Sequence, residues 1–133
     1  MKRKTIPTDW WKATWHKTLT ATEQLLWRCA WENCVETGFF CQFDISSAMN
    51  TDSAAIGKAL DEMVKAGVFY SYDPREGIYV IPNFMRVQYG LLSRKCRGQR
   101  DLWMQLDSLF PQGLEDGWVK AGFNKADLPA IKA

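Results

Sequence analysis

The chain has 133 residues, enough for one domain with its own hydrophobic core and too few for two domains of ordinary size. Apolar residues make up 47% and charged residues 24%, a balance that argues against wholesale disorder, and no apolar run approaches the ~20 residues of a membrane span. The net charge of +2 says little about partners. The basic cluster in residues 1–7 has no apolar stretch behind it, so we expect no secretory signal and a cytoplasmic protein.

Charge is distributed unevenly along the sequence. Residues 1–22 carry a net charge of +4, and residues 23–76 carry −5. Residues 77–100 contain five basic side chains and no acidic one, and residues 101–133 return to −2. The sequence therefore predicts an acidic centre between two basic segments.

The first clear element is a helix that begins at a capping box. In the run from Thr20 to Glu23, the threonine hydroxyl and the glutamate three residues later can each satisfy a free backbone amide. The helix is predicted to run to about Glu36, with Gly38 placed to end it. On it Trp27 and Trp31 are four residues apart, which is typical of a core-facing stripe. A short aromatic strand is expected next, over residues 39–44.

A helix-turn-helix followed by a hairpin is predicted for the middle of the chain. Residues 45–50 have room for a brief helix only, and Thr51, Asp52 and Ser53 offer caps for a longer one. The apolar face of that third helix consists of Ile56, Leu60, Met63 and Val64. The opposite face carries Lys58, Asp61, Glu62 and Lys65, and Gly67 provides the stop.

Residues 68–72 and 78–81 are rich in strand formers, and the turn chemistry of residues 73–77 joins them into a β-hairpin. A brief helix, a turn, a longer helix and a two-stranded wing together make a winged helix-turn-helix. Because the first strand can pair with the hairpin, the sheet is expected to have three strands. The predicted fold class is α+β, mainly helical, with additional C-terminal helices.

The remaining chain is predicted to return to helix from Phe84, with a final amphipathic helix from about Asp101 to Pro111. Its stripe consists of Leu102, Trp103, Leu106, Leu109 and Phe110. Four segments follow from these assignments. They are a basic, tryptophan-rich N-terminal strap over 1–18, a winged-helix domain over 19–90, a basic segment with the amphipathic helix over 91–110, and a partly irregular C-terminal tail over 111–133. Because the tail contains Trp118 and Phe123, we expect part of it to dock on the domain.

Several runs in the chain resemble one protein family. Residues 19–27 (LTATEQLLW), with 36–40 (ETGFF), 59–68 (ALDEMVKAGV) and 77–84 (GIYVIPNF), are similar to the winged-helix domain of phage replication initiators and replisome organisers. The ending Ile81-Pro82-Asn83-Phe84 is its most specific piece. The resemblance implies a domain that binds origin DNA or supports oligomerisation, in the cytoplasm of a host cell. Since only 43 residues follow Gly90, a relative reduced to the winged helix is expected.

Two groups of residues are candidates for contact with nucleic acid. On the third helix, Ser53 and Lys58 are placed to reach the major groove, but Asp61 and Glu62 oppose phosphate there. The basic segments make the stronger footprint, together with Arg75 at the wing tip. Their members are Lys2, Arg3, Lys4, Arg86, Arg94, Lys95, Arg97 and Arg100. Alternatively, the arginines pair with the acidic centre of the same molecule or of a second copy.

Neither an enzyme nor a metal or cofactor site is predicted. His16 is the single histidine and has no evident nucleophile beside it, and the four cysteines contain no C-x-x-C pair. We therefore expect reduced thiols that pack as small apolar side chains. The glycines have no phosphate-binding pattern.

Two functions remain open on these grounds. The leading hypothesis is a phage-like DNA-binding protein that acts in replication initiation or transcription control, with duplex DNA as its partner. The alternative is a protein-interaction module that docks on or inhibits a host protein complex. Homo-oligomerisation is compatible with either function, and a membrane partner is not expected.

Overall fold

The computed structural model describes residues 17–35, 37–82, 84–90 and 93–109. Its class is α+β and mostly helical, with one small antiparallel sheet of three strands, as predicted. The elements follow one another as α1 (Ala21–Asn33), β1 (Phe39–Cys41), α2 (Gln42–Met49), α3 (Ser53–Lys65), β2 (Tyr70–Asp73), β3 (Ile78–Val80), α4 (Phe84–Tyr89), a 3₁₀ turn (Arg97–Gln99) and α5 (Arg100–Leu109). No helix among these residues is both long and apolar enough to span a bilayer.

Helix α1 begins at the predicted capping box. The Glu23 amide donates to the Thr20 hydroxyl at 3.2 Å, and the Thr20 amide donates to the Glu23 carboxylate at 2.9 Å. The predicted end near Glu36 is wrong, because the backbone turns extended at Cys34. Gly38 instead adopts a φ of +88° in the tight loop that leads into β1, where its amide bonds to the Val35 carbonyl.

Helices α2 and α3 follow one another with a short turn between them. The expected strand over residues 39–44 is shorter than predicted, because helix α2 already begins at Gln42. Between the helices, Asn50 takes a left-handed conformation with a φ of +50°, which asparagine tolerates better than most residues. The Thr51 amide then donates to the Ser46 carbonyl, so the turn is tight.

Helix α3 has the predicted amphipathic pattern. Ile56, Leu60 and Met63 are buried, whereas the charged residues of the opposite face are exposed. It ends in a Schellman motif, in which the amides of Val68 and Gly67 donate to the carbonyls of Met63 and Val64 respectively. Because the Val68 amide is bonded to the helix, the strand predicted to begin at residue 68 begins instead at Tyr70.

The sheet has the strand order β1-β3-β2, and strands β1 and β3 contribute buried side chains to both of its faces. In the β1–β3 register, Phe40 lies opposite Tyr79, and both belong to a large core shared with α1, α2 and α3. The neighbouring pair, Phe39 and Val80, belongs to a second core. Its other members are Met85 of α4 and Leu102, Trp103 and Leu106 of α5. Helix α5 therefore packs on the face of the sheet opposite to α3.

The two tryptophans of α1 are buried in the core, as predicted. Trp27 and Trp31 are 3% and 2% exposed, and their rings stack with centroids 5.1 Å apart. All four cysteines are free thiols. The predictions for residues 1–16 and 110–133, which include most of the strap, the end of the amphipathic stripe and the tail, lie outside the described residues.

Gly38 provides a test of this packing. A Cβ atom at Gly38 would lie 2.8 Å from the Phe84 Cβ, and its φ of +88° disfavours any side chain. We expect Gly38→Ala to lower the free energy of unfolding by at least about 2 kcal/mol, from left-handed strain and overpacking together. The control is Gly67→Ala, since Gly67 has a φ of +77° but nothing within 4 Å of its Cβ position. Urea unfolding measures both free energies. If the two variants lose the same free energy of unfolding, the contact with Phe84 contributes nothing to the cost of Gly38→Ala.

Candidate nucleic-acid interface

The basic segment forms a compact loop at the start of α5, and we call residues 93–100 the basic loop. Its backbone folds around Ser93, whose carbonyl accepts from the Cys96 amide at 3.1 Å and from the Trp103 indole at 2.9 Å. The Ser93 amide donates to the side chain of Gln99 at 3.0 Å, and Gln99 is only 6% exposed. These bonds give the loop one defined conformation against the helix.

Arg94 fastens the loop to α5. Its guanidinium forms two hydrogen bonds with the Asp107 carboxylate, at 2.8 and 3.1 Å, and lies 5.1 Å from the centroid of the Trp103 ring. A bidentate pair of this kind fixes geometry as well as charge. The hydrogen bonds from Arg94 hold the pKa of Asp107 below its ordinary value, and the same bonds raise the pKa of Arg94. Arg94 is therefore engaged inside the molecule, although its partner Asp107 lies outside the acidic centre, residues 23–76, with which the alternative hypothesis paired the arginines.

The other three cations of the loop point to a different role. Lys95, Arg97 and Arg100 are exposed, and none of them forms an ion pair with a described carboxylate. They do not lie on one continuous helix, because residues 94–96 form a turn, Arg97 opens the 3₁₀ turn and Arg100 opens α5. Three exposed positive charges therefore lie within six residues of the chain.

The third helix offers a different surface. Ser53 is engaged by α2, since the Gln42 side chain donates to its carbonyl at 2.9 Å and to its hydroxyl at 3.2 Å. Lys58 is exposed but lines a cleft of about 390 Å³ together with Glu23 and Glu62. This face therefore mixes charges and lacks a positive potential of its own.

The other residues predicted to contact nucleic acid do not belong to either of these two surfaces. Arg75 is exposed in the hairpin turn, where its amide donates to the Asp73 carboxylate at 3.1 Å and Glu76 follows it. Arg86 lies on α4, and Lys2, Arg3 and Lys4 lie outside the described residues. Because α3 and α5 pack on opposite faces of the sheet, the basic loop and the third helix do not make one footprint.

Sequence reasoning missed the residues that shape the loop. Asp107 was counted only as a charge of the acidic C-terminal segment, and Trp103 only as a member of the apolar stripe. No spacing rule relates Arg94 to a carboxylate 13 residues later, so the sequence held no signal for this pair. In the described part of the chain, no three metal-ligating side chains lie close enough to hold an ion.

The Arg94–Asp107 pair can be tested through the loop that it holds. We expect Asp107→Asn to speed hydrogen exchange at the Cys96 and Gln99 amides, which are bonded within the loop. The loss in stability at neutral pH should be modest, about 0.5 kcal/mol, because the pair is half exposed.

The pH dependence of this pair has a definite sign. Since the folded-state pKa of Asp107 is lowered, the pair contributes stability above the ordinary aspartate pKa, and that contribution is lost as the pH falls through the lowered value.

The control for the hydrogen-exchange experiment is Glu32→Gln, which breaks the exposed pair with Arg28 on α1. Similar exchange rates in the wild type and Asp107→Asn would contradict the anchoring role.

The geometry of the basic loop is the main guide to function. Its shape is set by Ser93, Gln99 and the Arg94–Asp107 pair, and it presents three exposed cations. No known protein family, curated protein or solved structure matches this chain.

Proposed function

We propose that this chain is a winged-helix protein that binds DNA, and that the basic loop is its principal phosphate-binding surface. The order helix, strand, helix, helix and hairpin, with a β1-β3-β2 sheet, supports a winged helix. The observation that carries the DNA proposal is the cluster of Lys95, Arg97 and Arg100. These cations are exposed and unneutralised by any described carboxylate.

Electrostatics favours phosphate as the ligand of this loop. Each phosphate that a cation neutralises releases condensed counterions, so binding weakens with salt by a slope of about 0.9 per contact. Three contacts would give a slope of about 2.7 from this loop alone. Arginine suits such a site because its planar guanidinium binds two phosphate oxygens at once.

The internal bonds of the loop support tight contact. A loop already ordered by Gln99, Trp103 and Asp107 loses little further conformational freedom when a ligand binds. Arg94 acts here as a positioning residue, because its guanidinium is already bonded to Asp107.

The third helix contributes less to binding in this proposal. Helix-turn-helix proteins generally place the amino-terminal half of this helix in the major groove. Here Asp61 and Glu62 are exposed on the same helix and repel phosphate. In this proposal the loop supplies affinity that does not depend on DNA sequence.

The first test removes the cations of the loop. We expect Lys95→Ala/Arg97→Ala/Arg100→Ala to weaken binding to a duplex oligonucleotide and to reduce the salt slope by about 2.7. Titrations by fluorescence anisotropy over a series of salt concentrations measure both quantities. The matched control is Lys17→Ala/Arg28→Ala/Lys65→Ala, which removes the same charge from exposed positions elsewhere. Equal losses in the two triple variants, or no binding by the wild type at low salt to duplex or single strand, would refute the proposal.

The second test addresses the helix and the wing. We expect Lys58→Ala/Arg75→Ala to change the salt slope by less than about 1, because acidic side chains surround both residues. The same anisotropy titrations apply, and Lys65→Ala serves as the single-site control on the same helix. A fall in slope of about 2 would move the principal contact surface from the loop to the helix and the wing.

A further inference from the structure

The most exposed large apolar side chain in the described part of the chain lies beside the hairpin turn. This residue, Phe43 on the first turn of α2, is 77% exposed. The preceding residue contacts the turn, because the Gln42 amide donates to the Gly77 carbonyl at 2.8 Å and a Cβ atom at Gly77 would lie 3.3 Å from the Gln42 Cβ. A phenyl ring in contact with water is stabilised when a partner covers it.

The charges around this ring are mostly negative. Asp44 follows Phe43 on α2, and Glu76 lies in the hairpin turn; both are exposed, and neither forms an ion pair with a described cation. The Asp73 carboxylate orders the turn, since it accepts from the amides of Arg75 and Glu76 at 3.1 and 3.3 Å. Three carboxylates and one guanidinium leave this surface with a net charge of −2. We call Phe43, Asp44 and Glu76 the Phe43 patch.

The basic loop has the opposite charge and presents three cations without an acidic partner. Lys95, Arg97 and Arg100 are exposed, and none of them pairs with a described carboxylate. Such cations bind carboxylates and also lie favourably over the face of an aromatic ring. Within one molecule the patch belongs to α2 and the hairpin turn, whereas the loop lies at the start of α5, and no ion pair between described residues joins them. The two surfaces are therefore complementary between copies.

We propose that two copies of this chain associate through these surfaces, with the Phe43 patch of one copy docked on the basic loop of the other. Asp44 and Glu76 pair with the cations of the partner's loop, and the Phe43 ring lies against a guanidinium. Docking in both directions closes a symmetric dimer that uses each surface once per copy. Hydrogen bonds already order the turn and the loop, so little conformational freedom is lost on contact.

This association has a consequence for the basic loop. Phosphate and a second copy compete for the same three cations, so the dimer holds the loop closed to nucleic acid. The competition rests on the proposed function, whereas the contact between copies does not depend on DNA binding.

Sedimentation velocity on the full chain, without nucleic acid, tests the contact. We expect a dimer whose dissociation constant rises with salt concentration, because ionic pairs at an exposed rim are screened. Phe43→Ala should raise that constant at least about tenfold, since it removes the ring that the contact buries. Leu25→Ala is the matched control and should leave the constant unchanged, because Leu25 is 65% exposed on α1, outside the patch.

An exchange of charges tests which surfaces meet. We expect Asp44→Lys/Glu76→Lys and Arg97→Glu/Arg100→Glu each to abolish self-association, because like charges then face each other. Mixed in equal amounts, the two variants should form a dimer again, since each patch then meets a loop of opposite charge. All four side chains are exposed, so the substitutions disturb no core.

Three results would overturn the proposal. They are a wild type that stays monomeric at low salt, equal effects of Phe43→Ala and Leu25→Ala, and a mixture of the two charge variants that does not associate. Because no DNA is present, these results leave the anisotropy titrations of DNA binding unaffected, and the two proposals fail separately.

Discussion

The burial of strands β1 and β3 on both faces of the sheet is the constraint on which the rest of this structure depends. Alternate residues of β1 and β3 point to opposite faces, so Phe40 and Tyr79 enter one core while Phe39 and Val80 enter the other. A sheet with one solvated face would leave Phe39 and Val80 in water. Helix α5 covers that face, at a hydrophobic gain of about 1.5–3 kcal/mol for each large side chain buried.

The position of α5 in turn decides the shape of the basic loop. Once Trp103 is anchored in the second core, its indole N–H meets the Ser93 carbonyl and its ring lies beside the Arg94 guanidinium. Asp107, one turn further along the helix, completes the bidentate pair. One arginine is thereby used to order the loop, and three cations are left for a ligand. Packing and electrostatics are thus linked through a single helix.

The same helix also contributes to the candidate phosphate-binding surface. Its first turn carries Arg100 of the basic loop, and Asp107 in its second half holds Arg94 in place. Helix α3 lies on the other side of the sheet and exposes Asp61 and Glu62 beside Lys58, so its surface attracts phosphate less strongly than the basic loop does. Among the described residues, the basic loop therefore lies apart from helices α2 and α3.

Local signals in the sequence were sufficient for most of the fold. The capping box at Thr20, the period of Ile56, Leu60 and Met63, and the turn chemistry before Gly77 act over a few residues, and each predicted its element. Boundaries such as Cys34 and Gln42 were missed, because competing backbone bonds decide them. Only the tertiary structure decided that Arg94 meets Asp107, that α5 covers the sheet opposite α3, and that Thr37 is left unpaired. These contacts join residues far apart in the chain, and no local pattern encodes them.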